Sequence, residues 1–219
     1  IQMKLYPINL KIENRNVVVV GGGEVALRKI RGLLEAGALV KVIAPEICAG
    51  VEELSRRGEI ALVREKFSAE MIGDELILIA ATDNPEVNRQ AAELARQKKI
   101  LVNVAEGCGD FDVPSRIRRG DFLLTISTGA SSPAFSKFVR EMLEAELDEN
   151  FGAGLKIISE YRREVKRLLP NYKARKFFWE KFLTREVWEL LKSGELKELE
   201  EKINYALESF RIESPNGTD

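Results

Sequence analysis

The side chains that could do chemistry are few in kind. There is no histidine among the 219 residues. That excludes Ser-His-Asp and Cys-His triads and histidine-based zinc sites. A general acid or base must then be a carboxylate, a lysine, a tyrosine or a cysteine. The other chemical signal is a glycine run. Val17–Val20 is followed by Gly21, Gly22, Gly23, Glu24, Val25 and Ala26. Gly21, Gly23 and Ala26 fit the pattern G-x-G-x-x-A. The first glycine permits a tight turn, the second lets the backbone approach a pyrophosphate, and the small third residue lets helix pack on strand. Backbone N–H groups at Glu24 and Val25 would carry the partial positive charge of a helix N-terminus to the phosphates. The Glu24 side chain suits that dipole but would repel a close phosphate, so its backbone is the expected contact. The alternative is a tight turn with no ligand.

The elements around the run must place it. Four β-branched residues in a row read as a strand buried on both faces. From Glu24 to Ala36 the apolar residues Val25, Ala26, Ile30, Leu33 and Leu34 recur at helical spacing, and Gly37 closes the helix. The same reading predicts strands at Leu39–Ala44, Ile60–Val63, Leu76–Ala81 and Ile100–Val104, with helices at Ala49–Arg57 and Pro85–Lys98. Asp83 and Asn84 are the candidate caps of the latter helix, with Pro85 in its first turn. Alternating buried strands and helices predict an α/β fold, a Rossmann-like doubly wound parallel sheet. Ligands in such sheets sit at the carboxyl ends of the strands. The tips so placed are Gly21–Gly23, Ala44–Glu46, Thr82–Asn84 and Asn103–Glu106.

At the second tip a dinucleotide fold usually offers an acidic residue to the adenosine ribose. Here Ala44 holds that place, and Pro45 and Glu46 follow. Glu46 serves the ribose, or Pro45 and Glu46 line the adenine site. No arginine cluster follows to receive a 2′-phosphate, so NAD is favoured over NADP. Beyond the sheet lie a polar loop, Gly107–Asp112, a strand at Phe122–Ile126, a polar turn at Ser127–Ser132 and an amphipathic helix at Phe135–Leu147. Phe151–Gly154 reads as a hinge. The rest is helical to Ser209, broken at Pro170 and Gly194, with a polar tail at Ser214–Asp219.

A formal charge of -1 gives no global field for nucleic acid, and no apolar run is long enough to span a bilayer. Two cysteines, Cys48 and Cys108, make no disulfide framework and point to a reducing cytoplasm. Met3 is not followed by the apolar stretch of a signal peptide, and Ile1 and Gln2 read as an addition ahead of the natural start.

Several runs together resemble one family. They are Tyr6-Pro7-Ile8, Val19 to Ala26 with Arg28 and Lys29, Leu34 to Ala38, Ile79-Ala80-Ala81-Thr82-Asp83 and Val102-Asn103-Val104. Ile126-Ser127-Thr128-Gly129 with Ser132-Pro133, Arg140 to Glu144, and Phe178-Trp179-Glu180-Lys181-Phe182 follow in order. This resembles the precorrin-2 dehydrogenase and sirohydrochlorin ferrochelatase module of siroheme synthases, here standing alone without the methyltransferase half. The resemblance implies NAD-dependent oxidation of precorrin-2 to sirohydrochlorin, with ferrous iron insertion in some members. It implies a homodimer and three parts: 1–113 binding NAD, 114–147 mediating dimerisation, and 148–219 forming a small helical domain.

The resemblance also implies roles. The family's acid/base is an aspartate after Asn-Val-x, and this chain has Glu106 there. Asp110 and Asp112, on a loop shorter than the family's usual one, are the other candidates for the base. Asn103 is a candidate for the nicotinamide ribose, or a strand-end cap. Thr82 and Asp83 join the cofactor set. Ser127 and Thr128 hold a carboxylate of the macrocycle, or form an ordinary turn before a helix. Apart from the resemblance, carboxylates favour arginine partners. Arg116, which precedes the Phe122 strand with Arg118 and Arg119, is then a candidate for another substrate carboxylate, or part of a solvated basic face. No resident metal site is expected. The rival readings are a non-enzymatic NAD-sensing module and a dehydrogenase of an ordinary small metabolite.

Overall fold

The computed structural model describes residues 5–213, so Ile1, Gln2 and the tail Ser214–Asp219 lie outside the described residues. Strand β1 (Asn16–Val20) is central, and its alternate residues face opposite ways. Val17 and Val19 join one core under helices α1 (Glu24–Glu35) and α2 (Ala49–Arg56). Val18 and Val20 join a second core, where α3 (Pro85–Gln97) supplies Ala91, Ala92 and Ala95. Being covered on both faces is why Val17–Val20 is apolar throughout. Strands β2 (Leu39–Ile43), β3 (Ile60–Val63), β4 (Ile77–Ala80) and β5 (Leu101–Val104) complete a five-stranded sheet in the order β3-β2-β1-β4-β5. All its pairings are parallel. The chain builds outward from β1 to β3, then returns to lay β4 on the other side of β1. The point of reversal, between β1 and β4, is where such sheets open a ligand crevice.

One charged residue interrupts the apolar strands. Lys41 of β2 reaches the buried carboxylate of Glu75 and the Met71 carbonyl, while Glu75 also accepts from the Gly73 N–H. Each charge therefore has a partner, which is the condition for tolerating it at partial burial.

This first unit ends at Val113, and a second begins at Pro114. The second opens with an antiparallel hairpin, β6 (Ser115–Arg119) and β7 (Phe122–Ile126). Helices α4 (Pro133–Glu146), α5 (Glu149–Leu168), α6 (Tyr172–Phe182), α7 (Arg185–Ser193) and α8 (Leu196–Glu213) follow. The last four enclose a core around Val165, Phe178, Phe182, Val187, Leu190, Leu199 and Ile203. Arg119 ends α4 by donating from Nε to the Leu147 carbonyl at 2.9 Å. No helix among the described residues is long and apolar enough to cross a membrane.

One element of this unit was not expected, and one expectation fails. Ser115–Arg119 is a strand, unanticipated because only Ile117 of its five residues is a buried apolar side chain. Phe151–Gly154 is not a hinge but lies inside α5, with Phe151 buried. Its glycines serve close packing. A Cβ on Gly152 would stand 2.5 Å from the Arg119 carbonyl oxygen of β6. Gly152→Ala should therefore destabilise the protein by about 1–3 kcal/mol in urea unfolding, through overpacking against fixed backbone. A flexible hinge predicts the opposite, a gain of up to about 1 kcal/mol from better helix propensity.

Candidate active site

The glycine run occupies the crevice at the end of β1. Gly21 has φ +125°, a conformation that favours glycine, and its N–H donates to the Ile43 carbonyl at 2.9 Å. A Cβ on it would lie 2.3 Å from the Ala81 carbonyl oxygen, just past the end of β4. A Cβ on Gly22 would lie 2.4 Å from the Glu46 carbonyl oxygen, and the Gly22 carbonyl accepts from the Cys48 N–H at 2.8 Å. These two glycines are buried and let the turn sit between the tips of β2 and β4. Gly23 differs. It is exposed, it is the N-cap of α1, and nothing lies within 4 Å of where its Cβ would be. No side chain caps α1. Its first-turn residues Glu24 and Val25 are exposed, so this helix end is left uncovered. An absent cap, open space at Gly23 and the dipole of a 12-residue helix fit a pyrophosphate.

The neighbouring tips complete the edge. Ala44 is buried, while Pro45 and Glu46 are exposed beyond β2. At the β4 tip the side chains hold the turn itself. Asn84 caps α3, accepting from the Glu86 N–H at 2.9 Å. Thr82 donates its hydroxyl to Asn88 Oδ1 at 2.8 Å, and Asn88 Nδ2 donates to the Thr82 carbonyl at 2.9 Å. Asn88 is buried and went unread in the sequence. A lone amide on the buried face of an alanine-rich helix was the available signal. Asp83 stands exposed on the turn.

The β5 tip distributes its polar groups differently from the expectation. Asn103 is only 5% exposed. Its Oδ1 accepts from Lys29 Nζ at 3.0 Å and its Nδ2 donates to the Phe111 carbonyl at 2.8 Å. The amide thus ties α1, β5 and the following loop together. Burial of the Lys29 ammonium, then the nearby Arg28 charge, lowers its pKa, and Asp112 opposes that shift. Asp110 lies along β5, where its Oδ2 accepts from the Val102 N–H at 3.0 Å. Glu106 remains exposed and lines a cavity of about 240 Å³. Asn88, Arg89 and Arg96 of α3, with Gly107 and Cys108, share that lining.

In the second unit the polar turn is held by its own side chains. Ser127 Oγ accepts from the Gly129 N–H at 3.1 Å, Thr128 Oγ1 accepts from the Ser132 N–H at 3.2 Å, and Ser132 Oγ caps α4 at the Phe135 N–H. Arg116 stands on β6 opposite Thr125, half-buried.

Comparison with known proteins agrees with this geometry. An NAD(P)-binding family model matches residues 8–115, and the sirohaem synthase dimerisation region matches residues 151–207. Siroheme synthase of Photorhabdus laumondii is 35% identical over 214 residues, covering 96% of this chain and 45% of that protein. Siroheme synthase of Nitrosospira multiformis is 37% identical over 198 residues, covering 88% and 42%. The chain thus spans less than half the length of these relatives. The solved structure of SirC, a precorrin-2 dehydrogenase, superposes with a TM-score of 0.72 at 29% identity, over 90% of this chain and all of that one. The chain belongs to the siroheme synthase family, matching the part that holds its NAD(P)-binding and dimerisation regions.

Proposed function

We infer that this chain oxidises precorrin-2 to sirohydrochlorin with NAD, a step of siroheme biosynthesis. One observation carries the reading: an uncapped helix N-terminus opens behind Gly23, in a chain that superposes on all of SirC. The amides of Glu24 and Val25 hold the pyrophosphate. The exposed Glu46 carboxylate accepts from adenosine ribose hydroxyls, and its charge disfavours a 2′-phosphate. Pro45, Thr82 and Asp83 wall the same edge. When bound, NAD accepts the hydride. The oxidation also releases a proton, and Glu106 takes it, the exposed carboxylate on the cavity beside the β5 tip. Asn103 supports the site from beneath through Lys29 and Phe111 rather than touching ligand. Ser127 and Thr128 present the backbone of their turn, and Arg116 a cation, to the carboxylates of the substrate.

The protein acts as a homodimer in the cytoplasm. On α4, Phe135, Phe138 and Met142 are each more than half exposed and share one face, an apolar stripe suited to a second copy. Both cysteines are free, as a reducing compartment requires. Ferrous iron insertion into sirohydrochlorin is the second reading, favoured by the name of the siroheme synthase relatives, with the iron as substrate.

Two substitutions separate binding from chemistry. Gly23→Asp puts a capping carboxylate where the phosphates belong. It should leave the fold unharmed or more stable by about 0.3–1 kcal/mol. It should weaken NAD binding by roughly 10- to 100-fold in calorimetric titration, through lost charge-assisted hydrogen bonds. Unchanged affinity would remove the pyrophosphate from this helix end. Glu106→Gln should lower kcat for precorrin-2 oxidation by about 10²–10⁴-fold with NAD affinity preserved, the usual range for losing a general base. Turnover close to wild type would take the proton away from Glu106.

A further inference from the structure

Strand β5 is at the edge of its sheet. Such a strand leaves N–H and C=O groups unpaired unless something covers them. At Val102 a single residue covers both. The Asp110 N–H donates to the Val102 carbonyl at 2.7 Å, and Asp110 Oδ2 accepts from the Val102 N–H at 3.0 Å. The loop thereby imitates a further strand at one position. Gly109 makes the approach possible, since a Cβ there would stand 2.7 Å from the Val102 carbonyl oxygen.

Two helices secure the loop. Arg96 of α3 donates to the Cys108 carbonyl at 2.6 Å, and its Nε lies 3.7 Å from Asp110 Oδ1. From α1, Lys29 holds Asn103, which donates to the Phe111 carbonyl. Residues 108, 110 and 111 are therefore each anchored to the sheet or its helices. Glu106 lies just before the anchored stretch and lines the same cavity as Arg96 and Cys108.

We propose that Asp110 and Arg96 are positioning residues for the oxidation, latching the loop to β5 so that Glu106 is fixed at the cavity. The proposal rests on the reading of Glu106 as proton acceptor. Asp110 is poorly placed to be the base itself. Its Oδ2 is already engaged by the Val102 N–H and its Oδ1 faces Arg96, so the carboxylate is held against the strand edge. A misplacement of Glu106 by an ångström is enough to cost about 100-fold in rate.

The test uses the full chain, precorrin-2 and NAD under anaerobic conditions, with thermal unfolding recorded for each variant. Asp110→Asn keeps an acceptor for the Val102 N–H, whereas Asp110→Ala removes it. Asp110→Ala should lower kcat by about 10- to 100-fold, with NAD affinity within about twofold of wild type and the pH profile unchanged in shape. Asp110→Asn should restore kcat to within about threefold of wild type, because the hydrogen bond to the strand returns. If Asp110→Ala does not fold, Arg96→Gln should show the same fall in kcat with the same pH profile. Full activity in Asp110→Ala or Arg96→Gln would overturn the latch. So would an Asp110→Asn variant as damaged as Asp110→Ala, which would make the carboxylate itself the acid/base. Failure of the wild-type chain to oxidise precorrin-2 would be seen before any variant, and would remove the reaction and the latch's role together.

Discussion

The backbone at Gly21 and Gly22 passes between the tips of two neighbouring strands with no room for a β-carbon. Carbonyl oxygens stand within 2.5 Å of both ideal Cβ positions. That constraint sets where α1 begins, and hence where its amides point. It also fixes the spacing of β1 from the tips of β2 and β4. Gly23 is released from it, and this open position is where we propose that the phosphates sit. Three adjacent glycines thus divide their work. Two make the fold possible and one leaves the helix end uncovered. At the other helix that starts beside the crevice, Asn84 supplies a cap, and its amides are spent on the protein itself.

Residues that looked like ligands because they sit at strand tips prove to be divided in the same way. Thr82 bonds Asn84 and the helix residue Asn88, and Asn103 bonds Lys29 and Phe111. Their polarity is consumed in holding the tips still. Exposed Glu46 and Glu106 are left for solvent or ligand. A site with no histidine needs such support. A carboxylate base works only if its position is held, and the groups we propose to hold it are amides, a lysine and an arginine drawn from α1, α3 and the loop.

The parallel sheet was legible because its signal is local. Runs such as Val17–Val20 and Ile77–Ala80 are apolar throughout, and glycines or Asn84-Pro85 punctuate the helices between them. The glycine pattern was legible for the same reason. What escaped depends on contacts far along the chain. Strand β6 reads as a basic stretch, since three of its five residues are arginines and Ile117 is its one buried side chain. Gly152 looked like a hinge because its neighbour, the Arg119 carbonyl, lies on an element the sequence did not reveal. Asn103 looked available because Lys29 is 74 residues away. Asp110 looked like a second base because nothing local shows that it lies against the Val102 edge. Spacing tells where a polar residue is, and the packed structure tells whether it is already used.

The most direct measurement is the stoichiometry of the unmodified chain acting on precorrin-2 without oxygen. Sirohydrochlorin and NADH should appear together, one for one, with NAD supplied and not without it. Formation of sirohydrochlorin at the same rate in the absence of NAD, or none at all with NAD bound, would contradict the account.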